Sequence, residues 1–173
     1  LYVSRNPKDN AVSYFHFHKM CKFLKKSSSV DLTWDEYIRL FCSGACWTGD
    51  WFNHVLGYWK LSRNNPNAKF IKYEELQMNL AGEMKAIEDF VGIHLTDENR
   101  AKVVKHCSFD SMKANKKTNR EGVVIFDDSA SVKFMRKGIV GDWKNHFTVA
   151  QNAAFDELYK KRMAGTGLDF DFE

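Results

Sequence analysis

The chain has 173 residues, 44% of them hydrophobic and 28% charged, a balance that excludes a disordered, collagenous or coiled-coil protein and suffices for one domain with a real core. Its 26 Lys and Arg against 22 Asp and Glu leave a net charge of +4, too small for an extended nucleic-acid surface but compatible with a local phosphate site. No run reaches the roughly 18 apolar residues of a membrane-spanning helix, so no membrane partner is expected. The chain opens on Leu1 rather than Met and straight into the apolar run Leu1-Tyr2-Val3, which predicts a processed precursor or a piece of a longer chain, and no charged region followed by an apolar core reads as a secretion signal.

Leu1 to Ser4 reads as a short buried strand. Asn6 suits an N-cap, Pro7 the first helical position and Asp9 the positive helix end, predicting a helix from Pro7 to Phe23. Lys25 to Asp31 is a Ser-rich loop. Thr33 and Glu36 have capping-box spacing for a helix from Trp34 to Cys42. Asp50 caps a third helix, Trp51 to Arg63, with Trp51, Val55 and Trp59 on one face. After a turn at Asn64-Asn65-Pro66-Asn67, Phe70 to Tyr73 reads as a second strand. Helices follow over Gly82 to Val91, Asp97 to Cys107 and Phe109 to Asn115. A last helix starts at Thr148, where Gln151 completes another capping box, and ends near Gly165 and Gly167.

Between them, Lys116 to Val140 has no clean period, and a loop of that length in a compact domain is commonly functional or disordered. Two short strands so far apart do not make a stable sheet alone, so both are expected in a larger α/β sheet. The cysteines Cys21, Cys42, Cys46 and Cys107 form no CxxC pair. Free thiols in a reducing, cytoplasmic compartment fit better than a zinc site, and no metal is expected.

Two segments could bind phosphate. Arg5 sits where a strand meets a helix N-terminus, the place where α/β sheets bind ligands, and Ser13 adds a hydroxyl two turns on. An ordinary ion pair of Arg5 with Asp9 is an equal alternative. Phe134-Met135-Arg136-Lys137-Gly138 offers two cations beside a glycine that lets backbone amides approach an anion. By composition alone a solvated basic pair is the simpler reading of Arg136 and Lys137. The aromatics around Phe15 and Phe17, and Trp47, Trp51 and Trp59, fit a core as well as a pocket. The six histidines show no HExxH pattern, and neither GxxxxGK[ST] nor GxGxxG is present.

Arg5-Asn6-Pro7-Lys8-Asp9-Asn10-Ala11-Val12-Ser13-Tyr14 resembles the central motif of the cytosolic sulfotransferases. Arg136-Lys137-Gly138-Ile139-Val140-Gly141-Asp142-Trp143-Lys144-Asn145 resembles their C-terminal signature, RKGxxGDWKN. Lys69 to Leu76 and His106 to Phe109 match further stretches in the expected order. The resemblance covers essentially the whole chain. It implies an α/β, P-loop-kinase-like three-layer fold around a parallel sheet, of which residues 1–173 are the helix-rich C-terminal part of a single domain. It implies transfer of a sulfonate group from 3′-phosphoadenosine 5′-phosphosulfate (PAPS) to a hydroxyl or amine of a small, apolar or aromatic acceptor, leaving the bisphosphate PAP.

Carried over by position, Arg5, Ser13, Arg136, Lys137 and Gly138 would hold the 3′-phosphate. Tyr73, Cys107, Ser108, Phe109, Met112, Phe134 and Met135 would line the adenosine site, with Cys107 where relatives commonly have Thr. Phe17 matches an acceptor-pocket position, and Lys116 to Phe134 would belong to a lid. The family's TYPKSGTTW-like phosphosulfate loop and the catalytic histidine of its KTHLP-like segment are expected upstream of Leu1, so no residue here is assigned as catalytic. The dimer motif KxxxTVxxxE appears as Lys144, Thr148 and Val149, but Ala153 replaces its Glu, leaving a homodimer in question. A PAP-binding module without chemistry, and a member that sulfonates and then eliminates as retinol dehydratase does, are the alternatives.

Overall fold

The computed structural model describes residues 1–27, 32–120, 122–126 and 133–173. In element order it contains β1 (Tyr2–Ser4), α1 (Pro7–Met20), α2 (Lys22–Ser27), α3 (Trp34–Ser43), α4 (Trp51–Asn64), β2 (Phe70–Lys72), α5 (Tyr73–Met78), α6 (Leu80–Val91), α7 (Asp97–His106), α8 (Phe109–Ala114), a 3-10 turn (Asp142–Asn145) and α9 (Val149–Met163). The residues fall into two compact units.

The first unit comprises Leu1–Phe15, Leu32–Glu74 and Val140–Glu173. Its two strands run parallel, with Tyr2 opposite Phe70, Val3 opposite Ile71 and Ser4 opposite Lys72. β1 is paired on one edge, and Val3 remains 52% exposed, so the expected burial of this run holds for Ser4 but not for Leu1 or Val3. Ala11, Phe15, Tyr37, Phe41, Phe52 and Phe155 anchor the core. Both expected capping boxes form: Thr33 accepts the Glu36 amide, and Thr148 accepts the Gln151 amide. Gln151 also accepts the Trp34 indole N–H at 3.1 Å and donates to Asp35 at 2.6 Å, so one cap residue ties α9 to α3. Arg162 of α9 grips the α4 cap Asp50 through two nitrogens, at 3.0 and 2.8 Å. A cap that is also an ion-pair partner fixes both the start and the packing of its helix.

The second unit comprises His16–Asp31 and Glu75–Ile139. Met20, Cys21 and Phe126 form its small apolar cluster, with Phe17, Leu24 and Val123 against it. The Arg100 guanidinium donates to both oxygens of Glu88, at 2.8 and 2.9 Å, locking α7 to α6. Lys116 to Val140 holds no helix among its described residues, and Phe126 forms an isolated bridge with Cys21.

Three expectations change. The helix from Pro7 stops at Met20 rather than Phe23, because the Lys22 amide donates to Ile125 O at 3.0 Å instead of continuing the helical ladder. Helix then resumes as α2 through residues read as loop, while 28–31 lie outside the described residues. Tyr73 ends no strand; it begins α5, whose Glu-Glu-Leu-Gln-Met run is made of strong helix formers.

Candidate functional site

The expected site residues divide between the units, and each group has its own geometry. In the first unit, Arg5 stands at the carboxyl end of β1, with its guanidinium carbon 4.7 Å from the centre of the Tyr73 ring. A planar cation on an aromatic face is held in place while its edge remains oriented for an anion. Both residues line a cavity of about 580 Å³, together with Ser4, Tyr14, Trp47 and His54. Ser13 lies on α1 and is exposed.

The equal alternative for Arg5, an ion pair with Asp9, is present only as a 3.8 Å contact. The oxygens of Asp9 are engaged elsewhere. Oδ2 accepts the Gly141 amide at 2.7 Å and the Asn6 side-chain amide at 2.9 Å, and Oδ1 accepts the Trp143 amide at 2.9 Å. Asp9 is buried, at 1% exposure. Asn6 caps α1 as expected, with Oδ1 accepting the Asp9 amide at 2.8 Å. Asn6 also donates to Glu74 Oε1 from its backbone at 2.8 Å and its side chain at 3.1 Å. Glu74 is buried and its Oε2 has no hydrogen-bond partner, and burial pushes its carboxyl above the usual range. Burial likewise raises the Tyr73 phenol, so Tyr73 stays a neutral surface for a flat ring or cation.

In the second unit, the glycine of Arg136-Lys137-Gly138 has φ +67°, the left-handed region. A Cβ there would stand 2.1 Å from Phe109 Cδ2, so the Phe109 ring lies directly on this glycine. The structure thus brings together two residues expected at the nucleotide, from segments some thirty residues apart, and only glycine permits it. Ser108 caps α8: its Oγ accepts the Ser111 amide at 3.4 Å and lies 2.9 Å from Ser111 Oγ. Cys107 is the residue that ends α7, and Met112 is half-buried on α8. The Met135 amide donates to Asn119 Oδ1 at 3.2 Å, and the Phe134 ring lies 5.6 Å from that of Phe126. Arg136 is half-buried and Lys137 exposed. Phe17 packs edge-on against Phe126 at 5.8 Å, within the small apolar cluster. Part of the expected lid, residues 121 and 127–132, lies outside the described residues.

Sequence reasoning gave Asp9 a helix-end role and did not find its grip on Gly141 and Trp143. No local pattern could reveal it, because the partners are 132 and 134 residues away. Lys8 was also missed. It is 4% exposed, bonded to Asn152 Oδ1 at 2.6 Å, paired with Asp156 at 2.5 Å, and 4.2 Å from the centre of the Trp143 ring. The dimer-motif residues are in view: Lys144 pairs with Glu173 at 2.7 Å, Thr148 caps α9, and Val149 is 89% exposed.

Residues 1–167 match the family described as "Sulfotransferase domain". The chain is 45% identical over 175 residues to sulfotransferase 1C2 of Rattus norvegicus and 43% identical to that of Homo sapiens, in both cases over all of this chain and 57% of the relative. It is 41% identical to cytosolic sulfotransferase 1 of Danio rerio, covering 56% of it. The chain therefore spans rather more than half the length of the curated relatives it matches. Among solved structures, mouse sulfotransferase SULT7A1 complexed with PAP aligns with TM-score 0.79 and 37% identity, over 95% of this chain and 57% of that one. Retinol dehydratase in complex with androsterone and inactive cofactor PAP aligns with TM-score 0.85 and 28% identity, over 98% and 48%. The helix-rich units and small parallel sheet are thus part of the α/β sulfotransferase fold, and the chain belongs to the sulfotransferase family.

Proposed function

We propose that this chain is the part of a PAPS-dependent sulfotransferase that recognises the adenosine and 3′-phosphate of the cofactor. The observation that carries the reading is the family match over residues 1–167, which contains both phosphate motifs, Arg5 to Tyr14 and Arg136 to Asn145. Two features of the structure suit the nucleotide. The Arg5 guanidinium, stacked on Tyr73, presents a fixed donor edge. The left-handed turn at Gly138 carries no side chain of its own and so seats the Phe109 ring, a flat surface expected at the adenosine, directly against the Arg136-Lys137-Gly138 segment. By their match to the family's motifs, Arg5, Ser13, Arg136, Lys137 and the Gly138 amide bind the 3′-phosphate. By the same match, Tyr73, Cys107, Ser108, Phe109, Met112, Phe134 and Met135 contact adenosine.

PAPS supplies an activated sulfonate whose bond to the 5′-phosphate breaks as a new sulfur–oxygen or sulfur–nitrogen bond forms on the acceptor. The work of these residues is positioning: fixing the 3′-phosphate end aims the reacting end, where orientation lowers the barrier. No histidine of this chain is assigned as the general base. The acceptor is a small apolar or aromatic alcohol, phenol or amine, with Phe17 at its pocket, and the protein works in the cytoplasm. A second reading, sulfonation followed by elimination, draws on the likeness to retinol dehydratase, and mass analysis of the products separates the two.

Calorimetry of PAP binding to the full-length protein tests the site. Arg136→Ala removes a charge-assisted contact worth about 1.5–3 kcal/mol and should weaken PAP about 10- to 150-fold. Unchanged affinity refutes the assignment.

A further inference from the structure

We propose that Asp9 is a positioning residue for 3′-phosphate recognition, holding both Arg5's own segment and the turn at Gly141 to Trp143 that directly follows Arg136-Lys137-Gly138 in the chain. The inference rests on the proposed function, and it concerns a residue whose side chain is buried. Three N–H groups converge on its buried carboxylate, from Gly141, Trp143 and Asn6. Asn6 immediately follows Arg5, and the Arg5 guanidinium approaches the same carboxylate at 3.8 Å. Gly141 follows Gly138 by three residues, so the amides held by Asp9 fix the chain directly after Arg136-Lys137-Gly138. Gly141 itself has φ +88°, a left-handed turn that glycine adopts without a Cβ clash. Lys8 secures the other side of the same turn: its ammonium lies over the Trp143 ring and is held by Asn152 and Asp156 of α9. The adjacent pair Lys8-Asp9 thus grips Trp143 by ring and backbone.

Asp9→Asn separates positioning from charge because the two predict opposite signs. A carboxylate accepts all three donors. A carboxamide has one acceptor oxygen and turns an NH2 group toward at least one of the N–H groups of Gly141 and Trp143. Loss of positioning therefore weakens 3′-phosphate binding. Loss of the negative charge near Arg5, acting alone, strengthens it.

The readout is the ratio of affinities for PAP and for adenosine 5′-monophosphate, which differs from PAP only in lacking the 3′-phosphate. It is measured by calorimetry on the full-length protein, with Tm recorded alongside. The expected result is a fall of about tenfold or more in that ratio for Asp9→Asn, carried by PAP, with adenosine 5′-monophosphate affinity nearly unchanged. A lowered Tm with an unchanged ratio makes Asp9 merely structural and overturns the proposal, and a raised ratio makes it merely a charge and overturns it too. Lys8→Met loosens the same turn more gently. If Asp9→Asn fails to fold, Lys8→Met carries the test, with a drop of about threefold expected and no drop overturning the proposal. A wild-type protein that does not prefer PAP over adenosine 5′-monophosphate refutes the functional reading itself, a failure distinct from any result on the variants.

Discussion

Gly138→Ala isolates the contact at the heart of the second unit. Alanine at φ +67° costs about 1–2 kcal/mol, because Cβ crowds the following carbonyl in the left-handed region. Its Cβ would also lie 2.1 Å from Phe109 Cδ2, whereas ordinary carbon contacts start near 3.4 Å. The ring must therefore retreat by roughly 1.3 Å, and an off-rotamer side chain costs about 0.5–1.5 kcal/mol. Together these give about 1.5–3.5 kcal/mol, or a fall in Tm of about 3–14 °C for a protein of this size class. Differential scanning fluorimetry of Gly138→Ala, Phe109→Leu and the double variant separates the two causes. Phe109→Leu vacates the ring position, so the double variant should recover the steric part but not the backbone part. A Gly138→Ala protein with unchanged Tm refutes the reasoning. Strict additivity of the two substitutions shows that the ring does not bear on the glycine.

Glu74→Gln should raise stability at pH 8 more than at pH 5. Burial raises the folded carboxyl above its unfolded value, so wild type loses stability as pH climbs through that interval, and the glutamine keeps an acceptor for Asn6 without the buried charge. Thermal melts across that range check it, and an equal effect at both pH values refutes it. Ala153→Glu restores the missing charge of the dimer motif beside the exposed Val149 and should tighten self-association about 2- to 5-fold, as an exposed ion pair of about 0.5–1 kcal/mol does. Sedimentation equilibrium reads this directly, and no change removes the α9 surface as the contact.

Local chemistry was legible in the residues. The capping boxes of Thr33 with Glu36 and Thr148 with Gln151, the Asp50 cap and the Asn6 cap are spaced within one helical turn, so a linear reading contains all their participants. The runs Arg5 to Tyr14 and Arg136 to Asn145, and with them the family, were legible for the same reason, being contiguous runs of distinctive residue types. The break of α1 was not, because the group that ends it, Ile125 O, is a backbone acceptor far along the chain that no side chain at Cys21 announces. The need for glycine at position 138 was legible as a loop signal, but its cause, the Phe109 ring, belongs to tertiary packing. Asp9 shows the limit most clearly. From sequence alone it was a helix-end charge or the partner of Arg5. Only the folded chain, by bringing Gly141 and Trp143 across more than 130 residues to its two oxygens, decides that it anchors a turn. Hydrogen-bond partners chosen by chain folding leave no period in the sequence, whereas caps and motifs satisfied within a few residues do.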